Sequence, residues 1–183
     1  MKLGILSDTH GYLHPAFKDL FKDVDYILHA GDIGTPDVLR QLEAIAPTVA
    51  VRGNIDGEVF YETPKLEHRR LGDIRVTIVH NAGDIIRPAY DLRSRILKAP
   101  TDLLISGHYH GYWCTEIATD SGPVLWLSPG AAGNSGHHRE RTALLLTIPE
   151  REARAGTLVQ DAKLEKINLG PREYATDMSS SWG

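Results

Sequence analysis

Two histidines separated by one residue could together bind a metal ion. His108 and His110 follow an apolar run and are flanked by Gly107 and Gly111. In an extended backbone, residues two apart project to the same side, at a spacing of roughly 7 Å if each residue advances about 3.3 Å. The flanking glycines would let the chain turn sharply on both sides. An isolated pair of this kind could equally be two surface histidines in a polar loop, so the interpretation depends on the other residues.

Further candidate ligands also follow predicted strands. The carboxyl ends of strands form the default crevice of an α/β sheet, so residues far apart in sequence can converge there. Taken singly, each has a structural explanation, such as a helix cap, an Asx turn or a strand-end histidine. Jointly they offer carboxylate, imidazole and amide oxygen without thiolate, which suits divalent Mn, Fe, Zn, Ni or Mg. The set is Asp8, His10, Asp32, Asn54, His80, His108 and His110.

The number of candidate ligands favours two ions over one. Seven protein ligands exceed what one catalytic ion accepts while leaving room for water. Two ions roughly 3.5 to 4 Å apart, bridged by one carboxylate and a hydroxide, fit the count, and this arrangement serves in-line attack at phosphorus.

Alternating strands and helices must position Asp8, His10, Asp32 and Asn54. Apolar or β-branched runs predict strands over residues 3–7, 24–29 and 48–52. Apolar residues at helical spacing predict a helix over residues 13–22, and Thr35 and Pro36 are expected to cap and open a second helix. Each strand thus runs into a polar cluster.

The second half of the chain predicts more strands than helices. A hairpin turning at Gly72-Asp73 leads into a strand over residues 75–79 that ends at His80. A helix opened by Pro88 is followed by a strand over residues 102–106, which delivers the paired histidines. Further strands are predicted over residues 113–118, 124–127, 142–148, 157–161 and 162–167. Without long helices between them, these strands suggest an antiparallel second sheet.

Composition excludes some classes of function. The chain has 183 residues, a formal charge of −4 and a pI near 6.1, so bulk charge gives no attraction to extended nucleic acid or an anionic membrane. No apolar run approaches the ~20 residues that a membrane span needs. Cys114 is the only cysteine, and the N-terminus turns polar too soon for a signal peptide. We therefore expect a cytoplasmic protein.

The ordered polar motifs resemble those of the calcineurin-like metallophosphoesterase superfamily, over about residues 1–168. Residues 127–130, Leu-Ser-Pro-Gly, resemble the Asn-Pro-Gly-Ser loop of its small bacterial and archaeal phosphodiesterase branch. The matching motifs are Asp8-x-His10, Gly31-Asp32, Gly53-Asn54-x-Asp56, His80 and Gly107-His108-x-His110.

The resemblance implies an α/β fold, a four-layer αββα sandwich of two mixed β-sheets flanked by helices. Residues 1–170 would form a single metallophosphoesterase domain, and residues 171–183 a loosely ordered tail. Two divalent ions are implied, Mn being preferred to Fe, Ni, Zn or Mg. Asp8, His10 and His110 would bind the first ion, Asn54, His80 and His108 the second. Asp32 would bridge them, and Asp56 would orient a ligand.

The implied activity is hydrolysis of a phosphodiester by attack of a metal-bridging hydroxide, with Asp32, Asn54 and His10 as catalytic residues. Ile55 stands where the protein phosphatases of the superfamily have a histidine that protonates the leaving group. The proton would then come from bound water, His10, His137 or His138, or the substrates would have good leaving groups.

Two further substitutions depart from the family pattern. Asn81 replaces the usual glycine after His80, which makes His80 the ligand whose position is hardest to infer. Tyr109 replaces a common threonine and would shape the substrate cleft.

Two other functions remain open. The same fold serves as a scaffold in eukaryotic retromer, and a small phosphomonoesterase would use the same ligands. Because all seven ligand positions carry competent side chains, we expect an enzyme. Its partner would be a small phosphodiester, for which a nucleotide-like compound is one option. Relatives of this kind often form dimers or tetramers, so a homo-oligomer is also open.

Overall fold

Ten strands form two five-stranded sheets in the computed structural model, which describes residues 1–83, 99–149 and 161–172. Within these described residues, two short α-helices and one 3-10 helix accompany them. The elements are β1 (Lys2–Leu6), α1 (Phe17–Leu20), β2 (Tyr26–His29), α2 (Pro36–Glu43), β3 (Thr48–Ala50), the 3-10 helix (Glu58–Phe60), β4 (Leu66–Leu71), β5 (Ile74–Val79), β6 (Leu103–Ser106), β7 (Tyr112–Thr119), β8 (Gly122–Pro129), β9 (Glu140–Thr147) and β10 (Lys163–Pro171).

Both sheets are mixed, as the resemblance implies. The first sheet has the order β10-β9-β1-β2-β3, in which β1, β2 and β3 are parallel and β9 and β10 are antiparallel additions. The second sheet has the order β4-β5-β6-β8-β7, with a parallel centre of β5, β6 and β8. The carboxyl ends of the parallel strands therefore supply the loops that follow Leu6, His29, Ala50, Val79 and Ser106.

The main core lies between the two sheets. Leu3 and Ile5 of β1 are fully buried there with side chains of both sheets, such as Ile78. Leu6 faces the other side of the sheet, because alternate residues of a strand point in opposite directions. It packs with Phe17 on the face that the helices cover. Fully burying an aliphatic side chain contributes about 1.5–3 kcal/mol, so these clusters hold the strand ends in place.

The first predicted helix is shorter than expected. Instead of residues 13–22, α1 covers Phe17–Leu20. Pro15 has no backbone N–H, and the N–H groups of Phe17 and Lys18 donate to carbonyls three residues earlier at 3.1 and 3.3 Å. The second helix begins at Pro36 as predicted, but the side chain of Thr35 makes no capping hydrogen bond.

The predicted antiparallel second sheet is wrong as a separate unit. β7 and β8 do form an antiparallel hairpin, but β8 also pairs in parallel with β6, whereas β9 and β10 belong to the first sheet with β1. Residues 124–129 of β8 are all buried, and such a strand needs neighbours on both sides. Its buried apolar pattern does not indicate which sheet those neighbours belong to.

Some predictions fall outside the described residues. The helix opened by Pro88 lies there, as do residues 157–160 of a predicted strand. The proposed tail from residue 171 also lies outside, except that Pro171 ends β10 and Arg172 follows it. Within residues 1–83, 99–149 and 161–172, no helix is long and apolar enough to cross a membrane.

Candidate metal centre

The loops after β1, β2 and β6 are tied together by hydrogen bonds. The backbone N–H of His10 donates to the carbonyl of Asp32 at 2.9 Å, and the N–H of Gly11 donates to the carbonyl of Ile33 at 2.8 Å. From the other sheet, the N–H of His108 donates to the Asp8 carboxylate, at 3.2 and 3.3 Å from its two oxygens. Asp8 therefore joins the two sheets at the site.

Five of the predicted ligands have left-handed backbone conformations. In the part of the chain that the structure describes, the non-glycine residues with positive φ are Asp8 (54°), His10 (48°), Asp32 (53°), His108 (76°) and His110 (56°). Such conformations cost about 1–2 kcal/mol each and cluster at functional sites, where the surrounding contacts enforce them.

The expected extended fork of His108 and His110 is therefore wrong. The sharp turns occur at the histidines themselves, whereas Gly107 and Gly111 do not have positive φ. Gly107 is needed for a different reason: a Cβ there would lie 2.7 Å from Asp8 Oδ2 and would clash with Ser7 Oγ. It permits close approach of the two loops rather than a turn.

The first ligand group contains Asp8, His10 and His110. His110 Nε2 lies 3.2 Å from Asp8 Oδ1 and 3.4 Å from His10 Nε2. One ligand atom from each residue lies within 4.8 Å of the other two. Asp8 is fully buried, and the two rings are partly buried. This is the grouping that the resemblance implies for the first ion.

The second ligand group gathers around the Asn54 side-chain oxygen. Asn54 Oδ1 lies 2.9 Å from His80 Nε2 and 3.1 Å from His108 Nδ1. Burial and the neighbouring His80 lower the pKa of His108, which favours its neutral, ligating form. Asn81 accepts a hydrogen bond from the N–H of Gly83 at 2.9 Å. His80 is therefore part of the cluster even though Asn81, and not the usual glycine, follows it.

Asp32 lies between the two groups. Its Oδ2 is 3.8 Å from His10 Nε2, and its Oδ1 is 3.2 Å from His80 Nε2. Burial opposes ionisation of Asp32, but hydrogen bonds from His80 and from the N–H of Ile55 outweigh it, and its pKa is lowered. A Cβ at Gly53 would clash with the Asp32 carboxylate, so that glycine is required for the approach of the third loop.

The chemistry of the cluster fits a bound cation. Asp8 and Asp32 are buried within 4.8 Å of each other and of His80, and among the described residues the basic groups within 4 Å of either carboxylate are histidine rings. Two buried carboxylates this close are costly without a compensating positive charge. An additional cation would supply that charge, and carboxylate, imidazole and amide oxygen are suitable ligands.

The ring of His80 is oriented so that its Nε2 would bind such a cation. Its Nδ1 lies 2.8 Å from the carbonyl oxygen of Ala30, so Nδ1–H donates there and Nε2 faces Asn54 and Asp32. Burial opposes a second proton, but the hydrogen bond to Asp32 and the charges of Asp8 and Asp32 outweigh it, and the pKa of His80 is raised. A metal ion would take the place of that proton on Nε2.

Asp56 holds the loops rather than the cluster itself. Its buried carboxylate accepts hydrogen bonds from the N–H groups of Gly53 at 2.7 Å, Gly34 at 2.8 Å and Ile33 at 3.1 Å. These donors flank Asn54 and Asp32 in sequence. Asp56 thus fixes the backbone next to Asn54 and Asp32.

A buried histidine supports the site in a way that the sequence did not indicate. His29 ends β2 and is fully buried. Its Nδ1 accepts from the N–H of Gly31 at 3.1 Å, so Nε2–H donates to Thr9 Oγ1 at 2.9 Å, and that hydroxyl donates to the carbonyl of Ile33 at 3.0 Å. This chain fixes Thr9 between Asp8 and His10.

We expect His29 to make the metal-free protein less stable in mild acid. Burial lowers its pKa from 6.5 to about 4. Between these pH values the His29 ring is protonated in the unfolded chain but not in the folded chain. The free energy of unfolding therefore falls as pH drops from 6.5 to about 4, by roughly 3 kcal/mol at 1.36 kcal/mol per pH unit.

Urea unfolding of chelator-treated protein between pH 7.5 and 4.5 measures this loss. A His29→Gln variant does not titrate and retains an amide that can donate to Thr9, so its unfolding midpoint should fall less steeply with acid than that of the wild type. The exposed His68, replaced in the same way, is the matched control. Parallel midpoint curves for the wild type and His29→Gln would contradict the expectation.

The general-acid candidates occupy different surroundings. His137 is exposed, whereas His138 is partly buried with Nδ1 3.2 Å from His110 Nδ1 and Nε2 2.9 Å from the carbonyl oxygen of Gly133. Burial lowers the pKa of His138, although its contact with the Gly133 carbonyl opposes this shift. Ile55, which follows Asn54 in sequence, is 46% exposed. Tyr109, which follows His108, is 50% exposed. The contact between His138 and His110 could not be inferred from a polar turn of unknown position.

Known proteins resemble this chain in sequence and in fold. A sequence model of the calcineurin-like phosphoesterase superfamily domain matches residues 1–151. A probable metallophosphoesterase from Methanothermobacter thermautotrophicus is 35% identical over 136 residues, which are 72% of this chain and 77% of that protein. A phosphodiesterase from Methanocaldococcus jannaschii is 27% identical over 150 residues, 71% of this chain and 83% of that protein. The crystal structure of Chaetomium thermophilum Vps29 superposes with a TM-score of 0.68 at 18% identity, covering 94% of this chain and all of that one.

Proposed function

This chain belongs to the calcineurin-like phosphoesterase superfamily, and we propose that it is a phosphodiesterase that uses two divalent metal ions. The observation that carries the proposal is the position of Asp32 between two ligand groups, 3.8 Å from His10 and 3.2 Å from His80. All seven ligand positions are occupied by side chains that can bind a metal, which favours an enzyme over a scaffold.

The two groups of side chains would hold one ion each. Asp8, His10 and His110 would bind the first ion, and Asn54, His80 and His108 the second, with Asp32 contacting both. When bound, two divalent ions supply hydroxide near neutral pH and neutralise the phosphoryl oxygens as charge develops on the leaving group. Among divalent ions, we propose Mn for the mixed nitrogen and oxygen ligands.

The chain's own residues favour a substrate with a stable leaving anion. Ile55 follows Asn54, is 46% exposed and has no proton to donate. Both ring nitrogens of His138 are engaged, one with His110 and one with the Gly133 carbonyl. Because these positions offer no free acid, an aryl phosphodiester, whose phenolate needs little protonation, should react faster than an alkyl diester.

The substrate class also rests on charge and on similarity. The formal charge of −4 offers no long-range attraction to a polyanion, so we propose a small phosphodiester bound by the ions themselves. The similarity to an archaeal phosphodiesterase supports a diester over a monoester. A nucleotide-like diester is one member of this class.

Hydrolysis of matched aryl esters tests the proposal. Protein stripped of metal and supplied with Mn should hydrolyse bis(p-nitrophenyl) phosphate with a higher kcat/KM than p-nitrophenyl phosphate, and chelator should remove the activity. A His108→Ala variant gives the background from contaminating hydrolases, and His68→Ala, an exposed histidine on β4, is the matched control.

The other functions correspond to other outcomes of this assay. Faster hydrolysis of the monoester would indicate a phosphomonoesterase. Protein that binds Mn but turns over neither ester would indicate a scaffold.

A further inference from the structure

We propose that His138 is a positioning residue that fixes the tautomer of His110, so that His110 presents the lone pair of Nε2 to the first metal ion. The proposal rests on the metal site of the proposed function, but not on which ester is hydrolysed. It follows from the contacts of the loop between β8 and β9, which carries His138.

The first contact fixes the proton on His138. Its Nε2 lies 2.9 Å from the carbonyl oxygen of Gly133. A carbonyl oxygen can only accept a hydrogen bond, so Nε2 carries the hydrogen. A neutral imidazole has one donor and one acceptor, which leaves Nδ1 of His138 as the acceptor.

The second contact determines which ring nitrogen of His110 carries the hydrogen. The Nδ1 atoms of His138 and His110 are 3.2 Å apart, and only one hydrogen can lie between them. Because His138 Nδ1 accepts, His110 Nδ1–H donates, and the lone pair of His110 lies on Nε2. That atom is 3.2 Å from Asp8 Oδ1 and 3.4 Å from His10 Nε2, inside the first ligand group.

The third set of contacts holds the two rings together. A Cβ at Gly136 would clash with the His110 ring and would lie 3.3 Å from His138 Nδ1, so glycine makes room for the pair. The N–H of Gly133 donates to the carbonyl of Asp8 at 3.1 Å, which ties the acceptor of His138 to the ligand loop. The Arg172 guanidinium donates to the carbonyl of Gly136 from the far end of the chain.

His80 provides an internal comparison. Its Nδ1–H donates directly to a backbone carbonyl, that of Ala30, at 2.8 Å, which leaves Nε2 for the second group. A ligating histidine generally donates its other ring N–H in this way. His110 Nδ1–H donates to the ring of His138, and His138 in turn donates to the carbonyl of Gly133. The lone pair of His110 is thus placed on Nε2 through a second imidazole.

Nuclear magnetic resonance of the metal-free protein tests the tautomers directly. In two-dimensional spectra of ¹⁵N-labelled histidine rings, wild-type His110 should have a protonated Nδ1 and a bare Nε2, and His138 the reverse. A wild-type spectrum in which His110 is protonated on Nε2 would overturn the proposal. This readout needs no catalysis, so failure of ester hydrolysis leaves it intact.

Substitutions of His138 test the consequence for metal binding. His138→Ala should lose the single tautomer of His110 and weaken Mn binding at one of two sites by about 10–100-fold in calorimetry. His138→Gln, whose amide can accept from His110 and donate to Gly133, should recover most of the affinity. His137→Ala, an exposed neighbour, is the matched control. Unchanged Mn affinity in His138→Ala would contradict the proposal, and the wild-type spectrum remains decisive if that variant does not fold.

Discussion

Replacing Asp32 with asparagine should lower kcat/KM for an aryl phosphodiester by at least about 10³-fold, a loss of about 4 kcal/mol in transition-state stabilisation. The variant should also bind fewer than two Mn ions per chain. One carboxylate oxygen of Asp32 lies 3.8 Å from His10 Nε2 and the other lies 3.2 Å from His80 Nε2. An amide keeps the shape of the side chain but cannot supply a negative oxygen to each ion. Steady-state kinetics and metal analysis of the same preparation measure both effects.

Asp37→Asn is the matched control for this substitution. Asp37 lies in the first turn of α2, with 57% of its side chain exposed, and pairs with Arg40 on the surface. Its loss should leave kinetics and metal content unchanged, because exposed pairs contribute little. An Asp32→Asn protein that keeps two tightly bound ions and wild-type kcat/KM would show that Asp32 does not bridge them.

Replacing Asp56 with asparagine should both destabilise the protein and weaken metal binding. The Asp56 carboxylate accepts three backbone N–H groups, from Gly53, Ile33 and Gly34. An amide can accept with only one atom and turns its NH₂ group towards a donor. We expect a loss of about 1–3 kcal/mol in the free energy of unfolding and a 10–100-fold weaker Mn affinity.

Urea unfolding of the metal-free protein and Mn calorimetry measure these two losses separately. Asp120→Asn, in the exposed turn between β7 and β8, is the matched control. If Asp56→Asn unfolds at the wild-type urea concentration, its carboxylate does not hold the two loops. If stability falls but Mn affinity does not, the loop positions do not control the ligands.

The gathering of the site could be predicted from the sequence because it depends on strand ends. Every candidate ligand follows a strand, and parallel strands bring their carboxyl ends to one edge. In the structure, contacts of 3.8 Å or less connect all seven in one series: His110 contacts Asp8 and His10, Asp32 contacts His10 and His80, and Asn54 contacts His80 and His108. The same periodicity that predicts buried strands thus places the ligands.

The local geometry could not be predicted, because it depends on contacts between distant loops. The left-handed turns at His108 and His110 arise where the loop packs on Asp8, and no local pattern marks them. The role of His138 depends on its approach to His110, 28 residues away in sequence. The pairing of β9 with β1 likewise joins segments from the two halves of the chain, which an apolar strand pattern cannot specify.

Anomalous diffraction from a crystal soaked in Mn tests the central claim most directly, namely that Asp32 is shared by two ions. We predict two anomalous peaks roughly 3.5 to 4 Å apart, one beside the His110 ring and one beside the His108 ring, with an Asp32 oxygen in contact with each. A soaked Asp32→Asn crystal should lose at least one peak. A single peak in the wild type, or two peaks of which Asp32 contacts only one, would contradict the account.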